Sequence, residues 1–226
     1  MRSLSRSRVA LSLTCALGAL IALGGCALPA IGAKPTPTPI TAKGILLGAS
    51  NAKYTDVTFT LTFDSAIQGI AIKGTGTGVA TSNPKRFEMT LDLPITVAGQ
   101  SFDTQQHIIT DEATSKTYTQ TTTNGQAEAW KVTATDTSSG SDYSSLLGSS
   151  TGIDAPVLAG EDTVNGVMCY HITGTSNSTP VEAWVSKSDL RLQKVTATVT
   201  SSGTTATIVF LITGYDTGKT ITLPTV

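Results

Sequence analysis

The chain is short of the side chains that do chemistry. It has two histidines, His107 and His171, and neither stands in a metal-ligand spacing or beside a nucleophile motif. Asp154, Glu161 and Asp162 form a small acidic group, but they flank a turn and lack the oxygen spacing of a calcium loop, so solvated turn residues are the better account. No catalytic set, metal or cofactor is expected, and an enzyme is not the reading. Charge is scarce too, with Asp, Glu, Lys and Arg at 14% of the chain and aromatics at 5%. A basic excess is also missing: 15 Lys and Arg face 16 Asp and Glu, which argues against a nucleic-acid partner. Thr, Ser and Gly are left to supply much of the polar surface, a composition that suits an exported β-protein.

What is present begins at the N-terminus. Arg2, Arg6 and Arg8 precede an apolar stretch from Val9 to Leu23, and Leu23-Gly24-Gly25-Cys26 closes it. Charge, apolar run, small pair and cysteine in this order resemble the bacterial lipoprotein signal. The resemblance implies a signal peptide over 1–25, a diacylglyceryl group on the Cys26 sulfur, and Cys26 as the mature N-terminus. A thiol is needed there because its thiolate takes the lipid as a stable thioether. An uncleaved transmembrane anchor is the competing reading, but the run falls short of the ~20 residues of a span and is broken by Gly18, Gly24 and Gly25. Cys15 would be lost with the signal. Cys169 would then be the sole free thiol, with no intrachain disulfide to form. No Lys, Arg or helix N-terminus stands near it to lower its pKa, so it reads as apolar filling. The first 25 residues hold three Arg and no acid, so the mature chain carries 12 basic against 16 acidic residues.

Residues 26–39 read as the lipidated cysteine and its tether. Alternating prolines in Lys34-Pro35-Thr36-Pro37-Thr38-Pro39 favour an extended conformation at ~3.1 Å per residue, so the thirteen residues after Cys26 reach about 40 Å. Residues 40–226 read as one β-rich domain. Ile45, Leu46, Leu47 and Ala49 predict a short amphipathic helix within Thr41–Lys53. From Tyr54 the period becomes two, with Val57, Phe59, Leu61 and Phe63 on one face. The next strand, 70–81, puts Gly74, Gly76 and Gly78 on one face. That bare stripe allows sharp coiling, close approach of another backbone, or room for a ligand. Phe87, Met89, Leu91 and Leu93 mark a third strand, and Asn124-Gly125 a tight turn between 117–122 and 127–132. Ser138–Gly148 reads as a short helix or lid-like loop. Strands are then expected at 157–162, 167–173, 181–186, 190–200 and 204–215, and Asn177-Ser178-Thr179 reads as a turn rather than a glycosylation site. So many antiparallel strands make a sheet that must curl or close.

Asp162-Thr163-Val164-Asn165-Gly166, Tyr170-His171-Ile172-Thr173-Gly174, Val181 to Lys187, Leu190-Arg191-Leu192, Lys194-Val195 and the closing Tyr215-Asp216 with Ile221 and Pro224 resemble the second half and C-terminal strand of the LppX/LprG-type lipoproteins. The resemblance implies a mainly β fold: a single curved antiparallel sheet, a half-barrel like the carriers LolA and LolB, with one or two short helices over its concave side. It also implies a cavity for lipid acyl chains. The expected pocket lining is Ile70, Ile72, Phe87, Met89, Leu91, Trp130, Leu146, Leu147 and Trp184, although the two tryptophans would serve equally to fill a core. The expected protein is a monomer, anchored to the extracytoplasmic side of the membrane through Cys26, or at the outer membrane of a host that has one, with a lipid or acylated ligand. The alternative is a non-catalytic structural or interaction module of the envelope with a filled core. Replacing Cys26 with Ser removes the thioether that precedes cleavage. Metabolic labelling with an alkyne fatty acid should therefore label the wild type and leave Cys26→Ser unlabelled.

Overall fold

The computed structural model describes residues 40–67, 70–97, 100–135, 153–176, 178–201 and 204–226. The expected helix or loop at 138–148 lies outside them. Helix α1 (Ala42–Asn51) starts where Thr41 accepts a hydrogen bond from the Gly44 N–H at 3.1 Å, an N-cap that satisfies one of the open amides of the first turn. Ile45 and Leu46 are buried, and the helix packs chiefly on β8 and β10 as defined below.

Strands β1 (Asp56–Ile67), β2 (Ile70–Ser82), β3 (Lys85–Val97), β4 (Gln100–Asp111) and β5 (Lys116–Thr123) follow as hairpins, and β6 (Gln126–Ala127) and β7 (Lys131–Ala134) both pair with β5. A second meander runs through β8 (Asp154–Val164), β9 (Val167–Ser176), β10 (Thr179–Ser186), β11 (Leu192–Ser201) and β12 (Thr204–Tyr215). The two meanders join where β1 pairs antiparallel with β12, from Val57 opposite Tyr215 to Ser65 opposite Ala206. The result is the expected mainly β architecture, one curved, unclosed antiparallel sheet of twelve strands with a short helix. The chain resumes as β11 at Leu192 rather than Leu190, because Leu190 takes a positive φ of 57° in the preceding turn.

The glycine stripe explains the curvature. Phe59, Leu61 and Phe63 stand opposite Gly78, Gly76 and Gly74. A Cβ on Gly78 would lie 2.2 Å from the Phe59 ring and 2.5 Å from the Glu88 carbonyl oxygen, and one on Gly76 would lie 2.7 Å from the Thr90 carbonyl oxygen. The missing side chains let β2 bend hard against the β3 backbone and let the Phe59 ring lie over the gap. That ring stacks on Phe87 at 5.4 Å and tilts against Phe210 at 5.6 Å. The main core grows from there along the concave face and takes in α1, Met89, Ile172, Val185 and Ile212.

After Tyr215 the chain does not continue as the C-terminal strand the resemblance implied; it crosses the convex face without regular structure. Asp56, 1% exposed, holds it there. Its carboxylate accepts hydrogen bonds from the Thr217 N–H at 3.0 Å, the Thr217 hydroxyl, the Gly218 N–H at 2.9 Å and the Thr55 hydroxyl at 3.1 Å. Asp216 in turn accepts from the Thr55 N–H at 2.7 Å and from Arg191 at 2.8 Å. Further on, Ile221 packs with Ile109 and Tyr118, and Arg86 donates to its carbonyl at 2.9 Å. The donated hydrogen bonds, the Thr217 hydroxyl first, hold the Asp56 carboxyl below its ordinary pKa.

Two predictions follow from this fold. Gly78→Ala forces a Cβ against backbone and a packed ring, so chemical denaturation should show a loss of about 1–3 kcal/mol, the usual cost of overpacking. Asp56 has a folded pKa below its unfolded one, so its contribution is full above the unfolded carboxylate pKa of about 4 and fades as pH falls through the folded value. Asp56→Asn should be less stable at neutral pH and lose less further stability between about pH 5 and pH 2 than the wild type, as read from thermal midpoints across that range.

Candidate functional site

Side-chain alternation sorts every strand into a concave and a convex set, and the concave set changes along the strands. At the base of the sheet, where α1 joins β1, Phe59, Phe87 and Met89 are sealed, Met89 completely. One row further from the base, Leu61 and Phe210 are still sealed while Leu91 is half-buried, and in the next Phe63 and Ile208 are half-buried, as is Leu93 beside Gly74. At the rim, on the side of the β1–β2 and β3–β4 turns, Ile72 is half-buried, Phe102 is 38% exposed and Val199 37% exposed. Val199, Ala206, Ser65 and Ile72 share one lateral row, with the small Ser65 buried between them, and Phe102 stands opposite Ile95 near the β3–β4 turn. The concave face is thus a sealed floor that grades into a half-exposed apolar strip. Beyond β3 its character changes: Thr104, Gln106, Thr119 and Thr121 are half-buried polar residues on the same side.

Of the expected pocket residues, Leu91 and Ile72 lie on this strip, and Phe87 and Met89 form the floor beneath it. Ile70 forms the last β1–β2 pair, opposite Ile67; its side chain, like Leu146 and Leu147, lies outside the described set. Trp130 and Trp184 do not join the others. Ala183 and Val185 face the concave core, so Trp184 between them projects from the convex side. Its ring stacks on His171 at 4.4 Å, its indole N–H donates to Asp162 at 3.3 Å, and the Lys194 ammonium lies 4.1 Å above it. Trp130 meets His107 edge-on at 5.0 Å and packs with the Ile109, Tyr118 and Ile221 cluster. Trp184, by strand parity, and Trp130, by its packing on Ile109 and Tyr118, therefore lie on the face opposite to Met89. Phe63, Leu93, Ile208, Phe102 and Val199 belong to the strip instead; the signal was their parity with Leu61, Leu91 and Phe210.

The convex face offers polar pairs rather than a reactive set. His107 meets Glu88 at 2.8 Å and His171 meets Glu182 at 2.7 Å, each across neighbouring strands. Three open depressions of about 350, 410 and 340 Å³ lie by the β3–β4–β5 strands and on either side of Lys219, lined mainly by Thr and charged residues. Cys169 is fully buried, and burial pushes its thiol pKa up, which fits apolar filling. Among the described residues no group of three or more His, Cys, Asp and Glu is placed to hold a metal, and no helix is long and apolar enough to cross a membrane.

No protein-family model matches the chain, and no curated protein matches it. Among solved structures, the chain is similar to the lipoprotein LppX of Mycobacterium tuberculosis, at 12% identity and a TM-score of 0.48 over 80% of this chain and 98% of that one. It is also similar to a DUF1329 family protein from Desulfovibrio piger, at 12% identity and a TM-score of 0.37 over 79% and 93%. MucB, in its complex with MucA(peri), aligns at 14% identity and a TM-score of 0.35 over 76% and 56%. These likenesses concern the arrangement of strands; what the protein does has to come from its own residues.

Proposed function

We propose that this protein is a membrane-anchored, extracytoplasmic lipoprotein that binds the acyl chains of a lipid or acylated molecule along its concave face. The observation that carries this reading is the graded strip of Leu91, Leu93, Phe63, Ile208 and Ile72, apolar yet only half-buried at the open end of a sealed floor. Aliphatic chains need such a surface and few directional groups, which agrees with the absence of any reactive constellation among the described residues. About eight methylenes laid there would contribute roughly 6 kcal/mol gross, at ~0.8 kcal/mol per buried CH₂, before the cost of lost freedom. The lipoprotein-like Leu23-Gly24-Gly25-Cys26 supports the location.

Two measurements check this. Protein made in a host that processes lipoproteins, released from detergent in a native mass spectrometer and then extracted with organic solvent, should yield a lipid distinct from the chains on Cys26. Ile208→Trp, which fills the middle of the strip with a bulkier apolar ring, should weaken uptake of a fluorescent fatty-acyl probe at least tenfold with little change in the unfolding midpoint. A protein that yields no lipid and takes up no probe is the filled-core envelope module instead.

A further inference from the structure

The turns that bound the open end of the strip share a property that acyl binding does not require. In the β1–β2 hairpin the last charged row is the Asp64–Lys73 pair, bridged at 3.0 Å. Three residue pairs lie beyond it, Ser65 with Ile72, Ala66 with Ala71 and Ile67 with Ile70. In the β3–β4 hairpin the last charged residue is Asp103, opposite Pro94, and again three pairs lie beyond it, Ile95 with Phe102, Thr96 with Ser101 and Val97 with Gln100. The β11–β12 hairpin has no charged residue between Lys194 and Asp216. Because neighbouring strands alternate in direction, all three turns lie at the same end of the sheet, away from the Asp56 latch. By composition the first two are also apolar, with Ala66, Ile67, Ile70 and Ala71 in one and Ile95, Val97 and Ala98 in the other.

We propose that this end of the sheet is a bilayer-contact surface, through which the concave strip opens directly onto the lipid interface. The depth fits: three pairs at ~3.4 Å per residue extend about 10 Å past the last charged row, and interfacial segments bury their apolar faces roughly 5–10 Å into the headgroup and acyl boundary. Charge fits as well. A domain with more acidic than basic residues gains nothing from an anionic surface, and these turns offer it no Lys or Arg, so the contact is made by apolar transfer and not by electrostatic attraction. It is continuous with the strip through Phe102, Val199 and Ile72, and an acyl chain moving between bilayer and floor would meet no charged side chain, because Asp64, Lys73 and Asp103 alternate onto the convex face. Weak intrinsic partitioning is enough, because an anchor joined by thirteen residues keeps the local concentration of membrane high.

The test uses residues 26–226 with Cys26→Ser, which retain every described element and carry no acyl chain, in flotation with large unilamellar vesicles of pure phosphatidylcholine or of phosphatidylcholine with phosphatidylglycerol. The protein should float with both, to a similar extent at low and at high salt, and Phe102→Asp combined with Val199→Asp should reduce flotation at least tenfold. A polarity-sensitive dye on Val199→Cys should shift to the blue on vesicles, while the same dye on Ala113→Cys, at the opposite end of the sheet, should not; Cys169 is buried and leaves these thiols as the labelling sites. The dye pair keeps the test decisive even if the double aspartate variant misfolds. No flotation, flotation only with phosphatidylglycerol at low salt, or equal dye shifts at the two ends would overturn the proposal. Uptake of a soluble fatty-acyl probe, measured in parallel, separates this from the acyl-binding reading: probe uptake without flotation removes the docking surface and leaves the ligand site standing.

Discussion

The ring of Phe59 needs the space where Gly78 has no side chain, and the rest of the sheet is shaped by that need. A twelve-stranded antiparallel sheet without such a gap would flatten or twist outward; here the β2 backbone bends onto β3, and the concave side closes on aromatic rings from three strands, β1, β3 and β12. The floor beneath the strip is sealed because those rings fill it. The strip above is open because Gly74 and Gly76 contribute curvature without bulk, leaving Leu91, Leu93 and Phe63 to line a surface that nothing in their own strands covers.

Much of this was legible from the chain, and the misses have identifiable causes. The alternation of Val57, Phe59, Leu61 and Phe63, the glycine parity in β2 and the helix at Ala42–Asn51 are local patterns, and local patterns survive folding when one face must be buried. The tryptophans were expected to line a pocket or fill a core, but Trp184, flanked by Ala183 and Val185, belongs on the face opposite to theirs, and Trp130, just before β7, packs with Ile109 and Tyr118 on that same outer face. The course of residues 216–226 could not be read locally, since it depends on Asp56 gathering donors from Thr217 and Gly218, a contact between positions about as far apart as the domain allows. On the concave strip, Leu91 and Ile72 were recoverable from parity, whereas how deeply each position is buried depends on contacts between distant strands, such as Leu61 opposite Phe210, which no local pattern encodes.

The convex face shows how a chain with few charges spends them. Each histidine is paired to a glutamate on an adjoining strand and lies against a tryptophan, and Trp184 also holds a lysine over its ring and a carboxylate at its indole N–H. Such pairs link β3 to β4 and β9 to β10 from the outside, while threonine fills many of the positions between them. Partly exposed polar pairs of this kind contribute little each to stability; they help keep large rings covered on a surface that would otherwise present them to water.

Joining the first strand of the domain to the last has a consequence for when the protein can fold. Thr55 and Asp216, hydrogen-bonded to each other, are 161 residues apart in the chain. Neither meander contains a complete core, because Phe59 requires Phe210 from the opposite end. Loop closure over that length must precede the central pairing, which makes folding slow relative to a fold built from local contacts. A polypeptide of this kind cannot lock into its final shape until its last strand has emerged, so the completion of its core belongs to the end of synthesis and not to its course.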